Sequence, residues 1–233
     1  AGAANTQALL LTGSADAGSK VTLTLTGPGA TSLTLTTQLA SGASAWSVPV
    51  TREQLNALGQ GAVNVIAKAT DQAGNVSAAS SALNFTYDTT APSVPTLSSP
   101  VAADNIINLV ESVDGVRLTG VTEAGVGSVK LVFTQGSAVD EFNATVVGTT
   151  WTLDLQGTQV TSTLGQGTFG VVVRTTDLAG NSTSSASFPL TVDTVVPNLS
   201  ASVRDTGVQD SGSITTSDGR ITVNPEAGAT WQY

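Results

Sequence analysis

Cysteine, histidine and methionine are all absent from this 233-residue chain. Without cysteine there is neither a disulfide nor a thiolate metal site, and small secreted domains often depend on the former. Without histidine or cysteine, the usual imidazole and thiol catalysts are missing. No Ser nucleophile stands in a Gly-x-Ser-x-Gly elbow, so no catalytic constellation emerges and the chain reads as a non-enzyme. Basic residues number only 8 against 17 acidic ones, a net charge of −9. That balance speaks against nucleic acid and anionic membrane surfaces, which require basic patches. No apolar run reaches the ~18 residues of a membrane span. The start at Ala1 has neither the charged opening nor the apolar core of a signal peptide, so the sequence reads as an internal piece of something longer. Aromatics make up only 4%. Core packing therefore falls to Val, Leu, Thr and Ala, a composition that favours strands.

What is present repeats. Asp71-Gln72-Ala73-Gly74-Asn75 returns 106 positions later as Asp177-Leu178-Ala179-Gly180-Asn181. Asp88-Thr89-Thr90-Ala91-Pro92 returns 105 positions later as Asp193-Thr194-Val195-Val196-Pro197, and Trp46 and Trp151 keep the same 105 spacing. A period near a hundred residues is a whole domain rather than a solenoid unit. Residues 1–91 are expected to be a first repeat lacking its opening strand. Residues 92–196 form a complete second repeat, and 197–233 begin a third that stops early.

Period-2 alternation marks the strands. Val21-Thr22-Leu23-Thr24-Leu25-Thr26 and Ser32-Leu33-Thr34-Leu35-Thr36-Thr37 flank Gly27-Pro28-Gly29 as a hairpin. Trp46 to Val50 is a further strand. Ala62 to Thr70 and Val76 to Tyr87 are predicted as two strands joined by the Asp71 turn. Helix is expected only as a turn at 51–55, capped by Thr51. Short strands with turn signals every 8–12 residues predict an all-β fold of tandem immunoglobulin-like β-sandwiches arranged end to end. The prolines of linkers 88–92 and 193–197 stiffen each joint. The third copy, short of its later strands, is expected to be disordered or to dock on another molecule.

Strand counting turns the repeated acids into a candidate metal site. The loops carrying Glu123 and Asp177 should return to the pole where Asp88 arrives through its linker. Three converging carboxylates repel unless compensated. Basic residues are scarce, so a hard, oxygen-loving Ca2+ suits them. The same construction pairs Asp193 with Glu226 at the next joint and leaves Asp16 with Asp71 as half a site. Glu111 and Asp114, read as a turn after the first strand of the second repeat, would lie near Asp193. Asp205 and Asp210 mark a further oxygen-rich loop. The plain alternative for each Asp-x-Ala-Gly-Asn is turn formation alone. Threonine rows such as Thr22, Thr24 and Thr26 are read as outward β-branched residues, and Trp46 and Trp151 as core anchors rather than sugar platforms.

As a set, Thr12-Gly13-Ser14-Ala15-Asp16-Ala17-Gly18, Asp71 to Asn75 and Asp88 to Pro92 resemble the bacterial immunoglobulin-like repeats of giant surface adhesins. The stretch from Asp205 through Glu226 to Trp231 resembles a second subtype from the same proteins. The resemblance implies extender repeats of an adhesin exported by type 1 secretion, extracellular at the bacterial cell surface. Calcium at the joints would make a rod that presents a distal adhesive domain in adhesion or biofilm formation. Partners would be neighbouring repeats of the same polypeptide, with no direct membrane insertion and an unknown distal ligand. The rival reading is a ligand-binding module for glycan or protein within such an adhesin.

Overall fold

A computed structural model describes residues 9–29, 32–198, 200–203 and 221–224, the last two stretches by backbone alone. The fold is all-β, with the sandwich architecture of immunoglobulin-like domains. Two compact units are present. One holds the described part of Ala1–Pro95 together with Thr122–Val129 and Arg174–Ser184, and the other holds Thr96–Val121, Lys130–Val173 and the described part of Ser185–Tyr233.

The first repeat builds two sheets. Strands β1 (Leu9–Ser14) and β4 (Ala45–Val50) pair antiparallel, with Gly13 opposite Trp46. Strands β2 (Lys20–Thr26), β3 (Leu33–Gln38), β5 (Gly61–Thr70) and β6 (Leu83–Tyr87) form the second sheet in the order β3-β2-β5-β6. The predicted hairpin is β2–β3, with Leu23 opposite Leu35 and Thr24 opposite Thr34. Alternation sends Val21, Leu23 and Leu25 inward, where they pack with Leu11, Val48, Val50, Leu58 and Val63. Each such side chain, fully buried, contributes about 1.5–3 kcal/mol.

Thr51 caps a helix, as its sequence position predicts. The helix, α1 (Arg52–Leu58), is longer than the turn at 51–55 and is closed by a reciprocal box between Thr51 and Gln54. The apolar payoff is Leu55 and Leu58, both buried.

The expectation of almost no further helix fails in the second repeat. Its first strand, β7 (Ile106–Ile107), is followed by α2 (Leu109–Asp114), and a π-helical turn covers Gln159–Leu164. Asn108 starts α2 by accepting from the amides of Val110 and Glu111, while Glu111 Oε2 accepts from Asn108 N at 3.1 Å. Asn-x-x-Glu is a capping box. Its residues flank Leu109-Val110 just after Ile106-Ile107, a mostly apolar stretch that conceals it in a strand-like pattern. Glu111 and Asp114 are thus helical residues rather than turn residues. The π-helical turn occupies the position in the second repeat that α1 holds in the first, and it buries Val160 and Leu164.

The remaining strands of the second repeat are β8 (Val116–Val121), β9 (Ser128–Gln135), β10 (Ala138–Val147), β11 (Thr150–Leu155), β12 (Gly167–Thr176), β13 (Ser182–Ser184) and β14 (Phe188–Val192). They run in the order β7-β14-β12-β9-β10-β11-β8, with β13 beside β12. Trp151 is 0% exposed. Phe133 meets Phe142 and Phe169 edge-on at 5.5 and 6.5 Å, the T-shaped geometry aromatic rings favour.

The predicted strand from Val76 to Tyr87 is also corrected. Only a bridge between Thr70 and Val76 precedes β6, which starts at Leu83. Serine hydroxyls replace the ladder in between. Ser77 Oγ accepts from Ala69 N and donates to Ala78 O, and Ser80 Oγ accepts from Ala67 N and donates to Ser81 O. Short polar side chains compete with strand pairing in this way. Ser185 repeats the pattern against Val173 and Ala186. From the third repeat, β15 (Ser200–Val203) pairs antiparallel with β16 (Ile221–Asn224). Disorder or docking of that repeat concerns residues that fall largely outside those described.

Candidate functional site

The candidate site is the linker 88–92 with the loops that touch it, all within the first compact unit. Asp88 and Asp193 act alike at the head of their linkers. Asp88 Oδ1 accepts from Thr90 N at 2.9 Å, and Asp193 Oδ1 accepts from Val195 N at 3.2 Å. A carboxylate bonding its own backbone two residues on makes a tight Asx turn. Pro92 closes the linker and is buried.

A glutamine latches each linker to the end of its own repeat. Gln60 Nε2 donates to Thr89 Oγ1 at 2.6 Å, and Thr89 N returns a bond to Gln60 Oε1 at 2.8 Å. Gln166 and Thr194 make the same two contacts. In the sequence the Leu-Gly-Gln-Gly motif is visible as a repeat landmark. Its glutamine recurs with a Thr one residue beyond each linker Asp, and that joint recurrence is the sequence signal for the latch.

Two loops of the second repeat reach the first linker. Glu123 Oε2 accepts from Ser93 N at 2.8 Å. Asn181 Nδ2 donates to Asp88 O at 3.2 Å. Asp177 holds that asparagine: its Oδ1 accepts from Asn181 N at 2.8 Å and its Oδ2 from Asn181 Nδ2 at 2.9 Å. Gly127 N donates to Thr176 O at 2.9 Å, tying the two loops together. Asp88, Glu123 and Asp177 are therefore all tied into the linker region. Asn181, read from sequence as a turn residue, is the side chain that bridges Asp177 to the Asp88 carbonyl.

The bonds from Asn181 hold the Asp177 carboxyl below its usual range, the side-chain amide having the larger effect and partial burial opposing it. Asp71 is lowered by the same side-chain bond from Asn75. Asp71 Oδ1 and Oδ2 accept from Asn75 N and Nδ2, both at 2.8 Å. Asp16 is exposed, and its carbonyl accepts from Ser19 N at 3.1 Å. Glu111 and Asp193 approach through neighbouring backbone: Asp193 N donates to Ile107 O at 2.9 Å, and the next residue's amide bonds Glu111. Glu226, Asp205 and Asp210 lie outside the described residues.

For calcium, part of the donor chemistry suits: the linker region offers the carboxylates of Asp88 and Glu123 and the Asp88 carbonyl, oxygen donors that a hard divalent ion prefers. The geometry differs from a formed cage. Among the described residues no three acidic side chains are grouped to hold a metal ion. Both Asp177 oxygens are taken by Asn181, whereas Glu123 Oε1 and Asp88 Oδ2 receive no bond from a described residue.

No protein-family model matches the chain, and no curated protein does. Among solved structures it is similar to a Ca2+-stabilized adhesin that helps an Antarctic bacterium reach out and bind ice, with 23% identity over 84% of this chain and 47% of that one, TM-score 0.43. It is also similar to a 1.5-MDa bacterial ice-binding adhesin, with 22% identity over 84% of this chain and 62% of the other, TM-score 0.40. A tetra-tandem repeat in the extending region of a large adhesion protein shares 22% identity over 95% of this chain and 59% of the other, TM-score 0.38. The chain thus spans about half to three-fifths of the length of these structures.

Proposed function

We propose that the chain is a stretch of non-catalytic extender repeats from a large bacterial cell-surface adhesin, built as two repeats (1–91 and 92–196) and the start of a third (197–233). Its task is mechanical: to hold a distal adhesive domain away from the cell in adhesion or biofilm formation, outside the cell after type 1 secretion. The observation that carries this reading is the linker. A five-residue connection is bonded on one side by Gln60 and on the other by Glu123 and Asn181. A joint bonded from both sides resists bending, and a passive tether has no need of such contacts.

Calcium fits the reading as a second fastening. Asp88 and Glu123 each keep one carboxylate oxygen open to an ion, and Asp177 positions Asn181 beside them. The ion would compensate the negative charge where basic residues are few. By the same construction the next linker would use Asp193 with Glu226, assisted by Glu111. Extracellular modules of this kind bind at about 10⁻⁴–10⁻³ M, matched to a millimolar external supply.

Small-angle scattering with and without calcium tests the proposal. The expected outcome is a longer, narrower distribution of dimensions in ~2 mM calcium and a raised melting temperature, both lost in Asp88→Ala. Unchanged scattering and melting on calcium addition would refute the calcium part. A collapsed chain under all conditions would refute the extender role itself.

A further inference from the structure

This acidic chain carries a sheet face without an acid. In the first repeat, β2, β3, β5 and β6 turn alternate residues outward, away from the leucines and valines of the core. The strand registers set that face out in rows. Gln38, Lys20 and Thr70 lie side by side in one row, and Thr36, Thr22 and Lys68 in the next. Thr34, Thr24 and Ile66 make the third. Asn64 and Asn84 follow, bonded to each other at 3.0 Å. Every outward position of these strands is hydroxyl, amide, ammonium or aliphatic. None is a carboxylate, although the chain holds 17 acidic residues.

Lys20 and Lys68 are both exposed. Neither forms a salt bridge with a described residue, the pairs Arg117–Asp154 and Lys130–Glu141 both belonging to the second repeat. Lys20 opposes Thr70 and Lys68 opposes Thr22. The two lysines are therefore diagonal neighbours on adjacent strands, about 7–8 Å apart. Like charges at that spacing repel, and an anion between them relieves the repulsion. The acids nearest in sequence, Asp16 and Asp71, sit in turns at the end of the sheet, and the Asp71 carboxylate is taken by Asn75.

The second repeat shows the compensated form of this arrangement. Lys130 of β9 also points outward, but β10 supplies Glu141 to it at 3.0 Å. In the first repeat the strand after β2 is β3, and it presents Thr34, Thr36 and Gln38 instead. The hydroxyl content differs too. Between buried Leu131 and Phe133, β9 turns out Val132, whereas β2 turns out Thr24 between Leu23 and Leu25. The first face is thus cationic and lined by hydroxyls where the second is neutralised and more aliphatic.

We propose that this face binds a carboxylated polysaccharide, with the Lys20 and Lys68 ammonium groups meeting its carboxylates and the threonine and asparagine side chains meeting its hydroxyls. Charge complementarity selects the ligand class: on a chain of net charge −9, a polyanion meets no like charge on this face. Two cations are too few for a nucleic-acid backbone, whose binding draws on many phosphate contacts. The face also has no aromatic ring on which bases could stack. An anionic membrane calls for a cluster of about four to eight basic residues. A polyuronate, with sparse charge among many hydroxyls, matches sparse lysines among hydroxyl and amide side chains. Exposed ion pairs are weak singly, so affinity grows when several copies of the chain engage one polymer.

The test uses the whole chain with calcium chelated by EDTA, polygalacturonate as the probe and its fully methyl-esterified form as the uncharged control. The expected result is saturable binding of the acid form, with the amide resonances of Thr22, Thr36 and Lys68 shifting and the affinity falling as salt rises. Combining Lys20→Gln with Lys68→Gln should weaken binding roughly fivefold or more at an unchanged melting temperature. Thr36→Glu, which sets an acid beside the lysines as Glu141 stands beside Lys130, should weaken it comparably. Lys130→Gln should leave it unchanged. Absence of saturable binding would overturn the proposal, as would equal binding of the methyl ester or full affinity in the double lysine variant. Tighter binding of oligothymidylate, or of vesicles containing phosphatidylserine, would also overturn it, since the face would then read phosphate. No readout involves calcium or the length of the molecule, so the result is independent of the extender proposal.

Discussion

The first and second repeats share their landmarks yet use them to different ends. Asp71-Gln72-Ala73-Gly74-Asn75 and Asp177-Leu178-Ala179-Gly180-Asn181 fold identically inside the turn, with both carboxylate oxygens receiving Asn donors at 2.8–2.9 Å. Only Asn181 also reaches a linker carbonyl. Trp46 and Trp151 hold the same register, yet one is half-buried and the other sealed. The lesson is that a repeated motif specifies local geometry, while its role depends on which segment arrives beside it.

Truncating the two tryptophans gives the largest separation. Trp151→Ala should destabilise its repeat by about 3–5 kcal/mol, the range for a sealed core aromatic, and strand the Thr96 carbonyl as well. Trp46→Ala should cost less than half as much, since its ring already meets solvent. Denaturant melts of both variants decide this. Equal costs would mean that Trp46 is as fully packed as Trp151, and would break the comparison.

The asparagines come next. Asn181→Ala removes bonds to Asp177 and to Asp88 O, and at about 1 kcal/mol per bond should cost roughly 1–2 kcal/mol. Asn75→Ala loses only its turn and should cost about 1 kcal/mol or less. The sharper readout is local. Hydrogen exchange at Thr89 and Thr90 should accelerate in Asn181→Ala and remain unchanged in Asn75→Ala.

Acid should then erase what the asparagines share. Both Asp71 and Asp177 have carboxyls held below the ordinary range by their Asn donors. A depressed folded value means that the contribution is present above about pH 4, the unfolded value. It is lost as pH falls through the folded one. The turns should therefore be indifferent to pH between 7 and 5. Below about pH 4 the linker amides should loosen, and carboxyl resonances of both residues should titrate late. Titration of Asp177 at the ordinary value would dissolve the argument that Asn181 holds it.

Much of this was written in the sequence, because it was repeated or periodic. Alternation gave β2 and β3 with their inward leucines, and Thr51 as a cap announced the start of α1. The loops bearing Glu123 and Asp177 were placed at the linker by counting strands. Three things were hidden for physical reasons. The box at Asn108 and Glu111 brackets Leu109-Val110 in a short apolar stretch whose period is ambiguous over so few residues. The break at Ser77 and Ser80 depended on hydroxyls substituting for a strand partner, which alternation does not register. The bridging role of Asn181 required a carbonyl 93 positions away, and a turn motif carries no record of distant neighbours.

The smallest expected effect concerns Asp154, an acid of the second repeat with no counterpart at a linker. It forms a forked pair with Arg117. Arg117 Nε and Nη2 donate to its two oxygens at 2.6 and 3.2 Å, across the β8–β11 register. Two-point geometry is the favourable form of such a pair, and the guanidinium holds Asp154 below its usual carboxyl range. Both side chains are largely in water, however, 68% and 49% exposed. Solvent screens exposed pairs to about 0.2–1 kcal/mol. Asp154→Ala should therefore lower the stability of the second repeat by no more than that, and 1 M salt should remove the difference. Linker exchange and the response to calcium should be untouched. A loss at Asp154 as large as that at Asn181 would show that surface pairing, rather than contact with the linker, sets the stability of the second repeat.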